Sequence, residues 1–171
     1  EYGEFQLHTF EDTIQGSIHL AFTRGDICAD DPVLVRVHIA NTLRDVCDVL
    51  TPGGTSWSFS RALERIATEG CGVAVLLSGD DYEEDIMDSI ATVLSPRQNR
   101  KAQRQRAGSD LTIGTGSQIL RDLGVGKMRL LSYPARFNAI SGFDLEVVEF
   151  VQFEEPGAAG AADTMQTGEQ S

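Results

Sequence analysis

The stretch Gly114–Phe150, GTGSQILRDLGVGKMRLLSYPARFNAISGFDLEVVEF, constrains this chain more than any other, because each step along it agrees with the next. Gln118, Ile119, Leu120 and Leu123 predict a short amphipathic helix that Gly124 ends in a left-handed cap. The Met128–Leu131 run has the apolar density of a buried strand. Pro134 then starts a second short helix, Gly142 ends it, and Leu145, Val147 and Val148 supply one more strand. Helix and strand alternate here with short connections.

The upstream half reads differently. Phe5, Leu7 and Thr9 alternate with polar residues, His19–Phe22 and Val33–Val37 are β-rich, and Gly25-Asp26 and Asp31-Pro32 punctuate them. That pattern predicts an antiparallel β layer. Phe59, Ala62, Leu63, Ile66 and Ala67 form a helical stripe that stops near Gly70, and Val73–Leu77 is a buried strand. Ile86, Ile90, Val93 and Leu94 place another helix at about 83–94, with Glu84, Asp85 and Asp88 in its first turns, where the helix dipole favours carboxylates. Arg97, Arg100, Lys101, Arg104 and Arg106 follow with almost nothing apolar between them, so residues 96–110 are expected to be a flexible basic loop. Residues 154–171 lack periodicity and are expected to be a disordered tail, leaving one domain at 1–153.

A formal charge of −12 opposes nucleic-acid and anionic-membrane surfaces. With no apolar run of membrane length and no signal sequence in view, the expected compartment is the cytoplasm. Cys28, Cys47 and Cys71 are odd in number and far apart, which fits buried or half-buried thiols better than a disulfide framework or a metal knuckle. A chain that opens at Glu1 without Met, inside a strand-forming segment, reads as a piece of a longer protein.

QILRDLGV, KMRLL and GFDLEVVE after a Pro-x-Arg turn, together with EYGEF, GDI and PVLVRVH in Glu1–His38, resemble the GTP cyclohydrolase II family, zinc enzymes that open the guanine ring of GTP. The resemblance implies an α+β fold, a mixed sheet flanked by helices, and a homodimer. It also implies attachment, in many bacteria, to an N-terminal 3,4-dihydroxy-2-butanone 4-phosphate synthase domain, where Mg²⁺ would belong.

Measured against that family, the chemistry is missing. There, VRVH leads into Ser-Glu-Cys, and a later Cys-x-Cys completes a three-thiolate zinc site with an open position for water. Here Val35–His38 is followed by Ile39, Ala40 and Asn41, and the Cys-x-Cys region reads Thr51-Pro52-Gly53-Gly54-Thr55. The family's Arg-Gln-Glu-Gly-Arg-Gly triphosphate loop becomes Ser78-Gly79-Asp80-Asp81-Tyr82-Glu83, whose carboxylates repel a polyphosphate. The family's catalytic Asp and Arg fall on Ser109 and Leu111, with Asp110 adjacent, and its Thr-Asn-Asn-Pro-x-Lys contact becomes Ser132-Tyr133-Pro134-Ala135-Arg136. The expected domain therefore has no catalytic residue, metal ligand or cofactor of its own.

Arg36, His38, Ser132 and Arg136 remain as a residual binding pocket. Arg36 and His38 read either as ligand contacts or as an ion-paired Arg and a hydrogen-bonded His at a half-buried strand end. The acidic set Asp80–Asp88 reads as a solvated helix start or, less economically, as an oxygen-ligand cation site. Gly114–Ser117 leading into a helix is a weak anion motif. Trp57 and Phe59 are interface candidates, Phe59 the more core-like of the two. A non-catalytic support for dimerisation or regulation of the synthase follows from the resemblance. The alternatives are an enzyme with a rebuilt site, using Arg36, His38, Asp80, Asp81 and Arg136 on a phosphorylated small molecule, or a nucleotide- or flavin-sensing module.

Overall fold

The computed structural model describes residues 2–13, 16–47, 57–78, 110–134 and 140–153, and the single positions 87 and 90. Among these, six strands form one sheet: β1 (Gln6–Glu11), β2 (Ile18–Arg24), β3 (Val33–Ile39), β4 (Gly72–Leu77), β5 (Lys127–Leu131) and β6 (Glu146–Val151). Their order is β1-β2-β4-β3-β5-β6. The first two junctions are antiparallel and the last three parallel, so the sheet is mixed.

Strand composition explains the order. In β1 the side chains of Leu7, Thr9 and Glu11 are exposed while His8 and Phe10 are half-buried, the alternation of an edge strand with one wet face. The first half of β3 is apolar on both faces, with Val33, Leu34 and Val35 no more than 4% exposed, and that pattern belongs between parallel neighbours. This corrects the expected antiparallel opening layer. β1 and β2 do pair antiparallel, but β3 leaves them and runs parallel between β4 and β5.

Helices cover both faces. Helix α1 (Thr42–Asp45) is a single turn after β3. Helix α2 (Phe59–Glu69) opens at Ser58, whose hydroxyl accepts from the Arg61 amide, and closes at Gly70 in the left-handed region, φ 86°. Its Ala62 and Ile66 pack with Leu34, Ala74, Leu131 and Trp57 on one side of the sheet. Helix α3 (Asp110–Asp122) sets Ile119 and Leu120 against Val33, Val35, Val73, Val75 and Leu77 on the other. Fully burying such aliphatic side chains contributes about 1.5–3 kcal/mol each, so the two apolar layers hold the sheet between the helices. The α+β class with a flanked mixed sheet is the observed one.

Two local expectations change. Gly114–Ser117 lies inside α3 rather than ahead of it, so the glycines do not present a helix N-terminus. Gly116 eases a close approach: a Cβ at this position would stand 3.1 Å from a Val37 methyl, which would have to give by a few tenths of an ångström to keep the helix this close to β3. Downstream, Gly142 sits within a 3-10 turn, Ile140–Phe143, and the residue that turns the chain into β6 is Asp144, left-handed at φ 55°. Arg121 of α3 holds that turn by donating to the Phe143 carbonyl at 2.9 Å and to the Asp144 carboxylate.

The thiols also differ from expectation, since Cys28 and Cys47 are exposed and only Cys71 is half-buried. Burial first, and then the carboxylates of Asp26, Asp31 and Glu69, push the Cys71 thiol up from its ordinary value. On the sheet surface Arg129 bridges Glu149 of β6 and Glu69 of α2, each at 2.7 Å. Those two hydrogen bonds, Glu149 before Glu69, raise the guanidinium's already high pKa. Among the described residues no helix is long and apolar enough to cross a membrane. The predicted helix at 83–94, the basic loop and the tail lie outside them, apart from Met87, Ile90 and Asp110.

Candidate functional site

Arg36 and His38 are two residues apart on β3, so the strand's period of two puts both on the face that Leu34 shares with α2. The Arg36 guanidinium donates through Nη1 to the Leu131 carbonyl at 2.8 Å and through Nη2 to the Trp57 carbonyl at 2.9 Å. Nη2 also faces His38 Nδ1 at 3.2 Å. A guanidinium can only donate, so Nδ1 is the acceptor and the imidazole proton is assigned to Nε2. Nε2 then donates to Asp45 Oδ2 at 2.8 Å, and the same oxygen accepts the Asn41 amide at 2.9 Å.

The result is a relay of cation, neutral ring and anion, running from the middle of β3 to α1. His38 is 1% exposed and the Phe59 ring lies 5.5 Å from it, so the ring at the centre of the relay is poorly solvated while the charged groups at its two ends are half-buried. Hydrogen bonds to charged groups contribute about 1.5–3 kcal/mol, and more is lost when one partner is removed from a buried pair. Mechanically, Arg36 ties β3 to the end of β5 and to the residue before the α2 cap.

Ser132 directly follows the carbonyl that Arg36 holds. Its hydroxyl donates to the Tyr133 carbonyl at 3.1 Å, so it serves its own turn. Arg136, Asp80 and Asp81 lie outside the described residues. Of the residual-pocket residues, the structure thus joins Arg36 to His38 and sets Ser132 one residue beyond the Leu131 carbonyl that anchors Arg36.

A second polar cluster lies at the end of β4. His19, 6% exposed, accepts the Ser78 amide at Nδ1, 3.2 Å, with the Ser78 hydroxyl 3.3 Å from the same nitrogen and the Ser17 hydroxyl 3.5 Å from Nε2.

Sequence reasoning missed Asp45 and misplaced Trp57. Nothing in Asn41-Thr42-Leu43-Arg44-Asp45 marks the last residue as the partner of a histidine seven positions earlier. Trp57 is 8% exposed and belongs to the core, its indole N–H donating to the Val151 carbonyl at 2.8 Å. The Phe153 ring stands edge-on to it, with centroids 5.2 Å apart.

Residues 1–152 match a known family model, that of GTP cyclohydrolase II. The chain belongs to the GTP cyclohydrolase II family. It is 48% identical over 155 residues to a 3,4-dihydroxy-2-butanone 4-phosphate synthase of Pseudomonas aeruginosa, covering 90% of this chain and 41% of that protein. The corresponding figures for the synthase of Neisseria meningitidis serogroup A are 35% identity over 154 residues, 90% and 40%. Similarity extends to a riboflavin biosynthesis protein RibBA of Chlorobium phaeovibrioides, 34% identical over 166 residues, covering 92% of this chain and 40% of that one. The chain therefore spans about two fifths of the length of these curated relatives.

Proposed function

We propose that this chain is a GTP cyclohydrolase II-like domain whose own ring-opening chemistry is retired, and which supports dimerisation or regulation of an attached 3,4-dihydroxy-2-butanone 4-phosphate synthase. The observation that carries this reading is the end of β3. Where the family's motif continues into Ser-Glu-Cys, this chain has Ile39, Ala40 and Asn41, and His38 is committed to Arg36 and Asp45. A catalytic zinc requires three fixed donors and an open position. Among the described residues no three His, Cys, Asp or Glu side chains gather to hold a metal ion, and the sequence at 48–56 contains no cysteine or histidine. The residues present do not fit the family's zinc, and no zinc-dependent step is assigned to this chain.

Two further facts support the reading. The acidic sequence Asp80-Asp81-Tyr82-Glu83-Glu84-Asp85 after β4 disfavours a triphosphate by like-charge repulsion. The Pseudomonas and Neisseria relatives carry the synthase name alone, and in that setting the domain's contribution is to the synthase.

The test is elemental analysis for zinc together with formate release from GTP by the purified chain. Absence of both is expected. Stoichiometric zinc with turnover would restore the cyclohydrolase reading and refute the retired one. Light scattering then separates dimer from monomer, and loss of synthase activity or assembly on deleting this domain from the parent protein identifies its role.

A further inference from the structure

We propose that buried His38, backed by half-buried Arg36, is an anion site that the chain fills with its own Asp45 carboxylate, closing it to outside ligands while α1 is in place. Three observations converge. His38 Nε2 and the Asn41 amide aim at the single oxygen Asp45 Oδ2, at 2.8 and 2.9 Å, the arrangement a bound carboxylate would show. Behind the imidazole, the Arg36 guanidinium fixes the tautomer that presents Nε2–H outward and supplies positive charge at one remove. The His38 side chain has no exposure, whereas the Asp45 side chain retains 16%, so solvent reaches the imidazole's partner carboxylate but not the imidazole itself.

The element carrying this occupant is small. Helix α1 has four residues, with Asp45 N–H to Asn41 O at 2.8 Å and Val46 N–H to Thr42 O at 3.0 Å. Asp45 is therefore a tethered ligand, held at high effective concentration by a short linker from β3. A site of this kind has a signature: removing the tethered carboxylate creates a vacancy that a free small carboxylate fills. The idea does not rest on the retired-cyclohydrolase reading, because its probes are formate and acetate rather than GTP.

The experiment compares thermal unfolding of the intact chain, Asp45→Gly and Asp45→Asn in sodium chloride and in sodium formate or acetate at matched ionic strength. Wild type should melt at the same temperature in each. Asp45→Gly should melt lower in chloride and recover saturably in formate, by about 3–6 °C at ten times the half-saturating concentration. Asp45→Asn should melt lower than wild type and stay unmoved by formate, because its amide still occupies the space. If Asp45→Gly is unfolded in chloride, refolding in formate supports the proposal and failure to refold overturns it. It is equally overturned by a formate response in wild type as large as that in Asp45→Gly, or by Asp45→Asn as stable as wild type.

Discussion

Replacing Phe153 with alanine tests how the last described residues close the core. The ring makes an edge-on contact with Trp57 at 5.2 Å between centroids, and the Arg61 guanidinium carbon lies 4.5 Å from its centre. An aromatic pair contributes about 0.5–1.5 kcal/mol beyond its buried area. A cation over a ring adds about 0.5–1 kcal/mol at an exposed position such as Arg61. Phe153 is half-buried, so its apolar surface contributes about 1 kcal/mol more. Allowing for overlap, Phe153→Ala should lose about 2–3 kcal/mol, lowering the melting temperature by about 4–12 °C for a domain of this size. Phe153→Leu keeps apolar volume but not ring geometry and should lose about half as much. The assay is urea denaturation followed by tryptophan fluorescence, which reports one site because Trp57 is the sole tryptophan. A native-state red shift should accompany the loss, since Trp57 gains solvent when its neighbour is cut back. A change below about 0.5 kcal/mol with an unshifted spectrum would refute the idea that this segment clamps the start of α2.

Three further outcomes follow from the same packing. Gly72→Ala would bring a Cβ to 2.7 Å from the Leu34 carbonyl oxygen and 3.0 Å from two Ile66 carbons, and should destabilise the domain by about 1–3 kcal/mol in urea melts. Neutral alkylating reagents at mildly alkaline pH should modify exposed Cys28 and Cys47 before Cys71, as read by peptide mass spectrometry; fastest labelling at Cys71 would contradict its raised pKa. Because folding raises the Cys71 pKa, the unfolded chain loses that proton first. The associated stability is present below the ordinary thiol pKa and falls as pH rises toward the folded value, a trend that Cys71→Ala should remove.

Legibility tracked the range of the interaction involved. Helix α2, strand β4 and strands β5 and β6 were readable because cap, stripe and apolar run are properties of neighbouring residues. The position of β3 was not, since its apolar residues say that both faces are buried but not which strands flank it. Helix α3 was foreseen too short because Gly114 and Gly116 signal a loop in isolation, and only the Val37 side chain beneath Gly116 makes glycine the fitting helical residue. At the candidate site, Arg36 and His38 were visible as polar residues in an apolar strand. Asp45 was invisible, because its importance comes from the path of α1 back over the end of β3. The thiols differ for a plainer reason: cysteine's usual preference for burial is a tendency of the residue type, and Cys28 and Cys47 are exposed.

The central place of β3 has a consequence for biosynthesis. Ribosomal synthesis delivers β3 and β4 well before β5, yet one of β3's two ladders belongs to β5, which begins at Lys127. Throughout that interval the nascent chain lacks the partner of β3's Val33–Val35 edge, whose residues are apolar on both faces, a feature apt to pair with a stranger. The Arg36 bond to Leu131 closes across 95 residues of chain and the Trp57 bond to Val151 across 94, so both wait for the last two strands to emerge. A message truncated after the codons for α3 would yield an aggregation-prone product rather than a smaller stable domain.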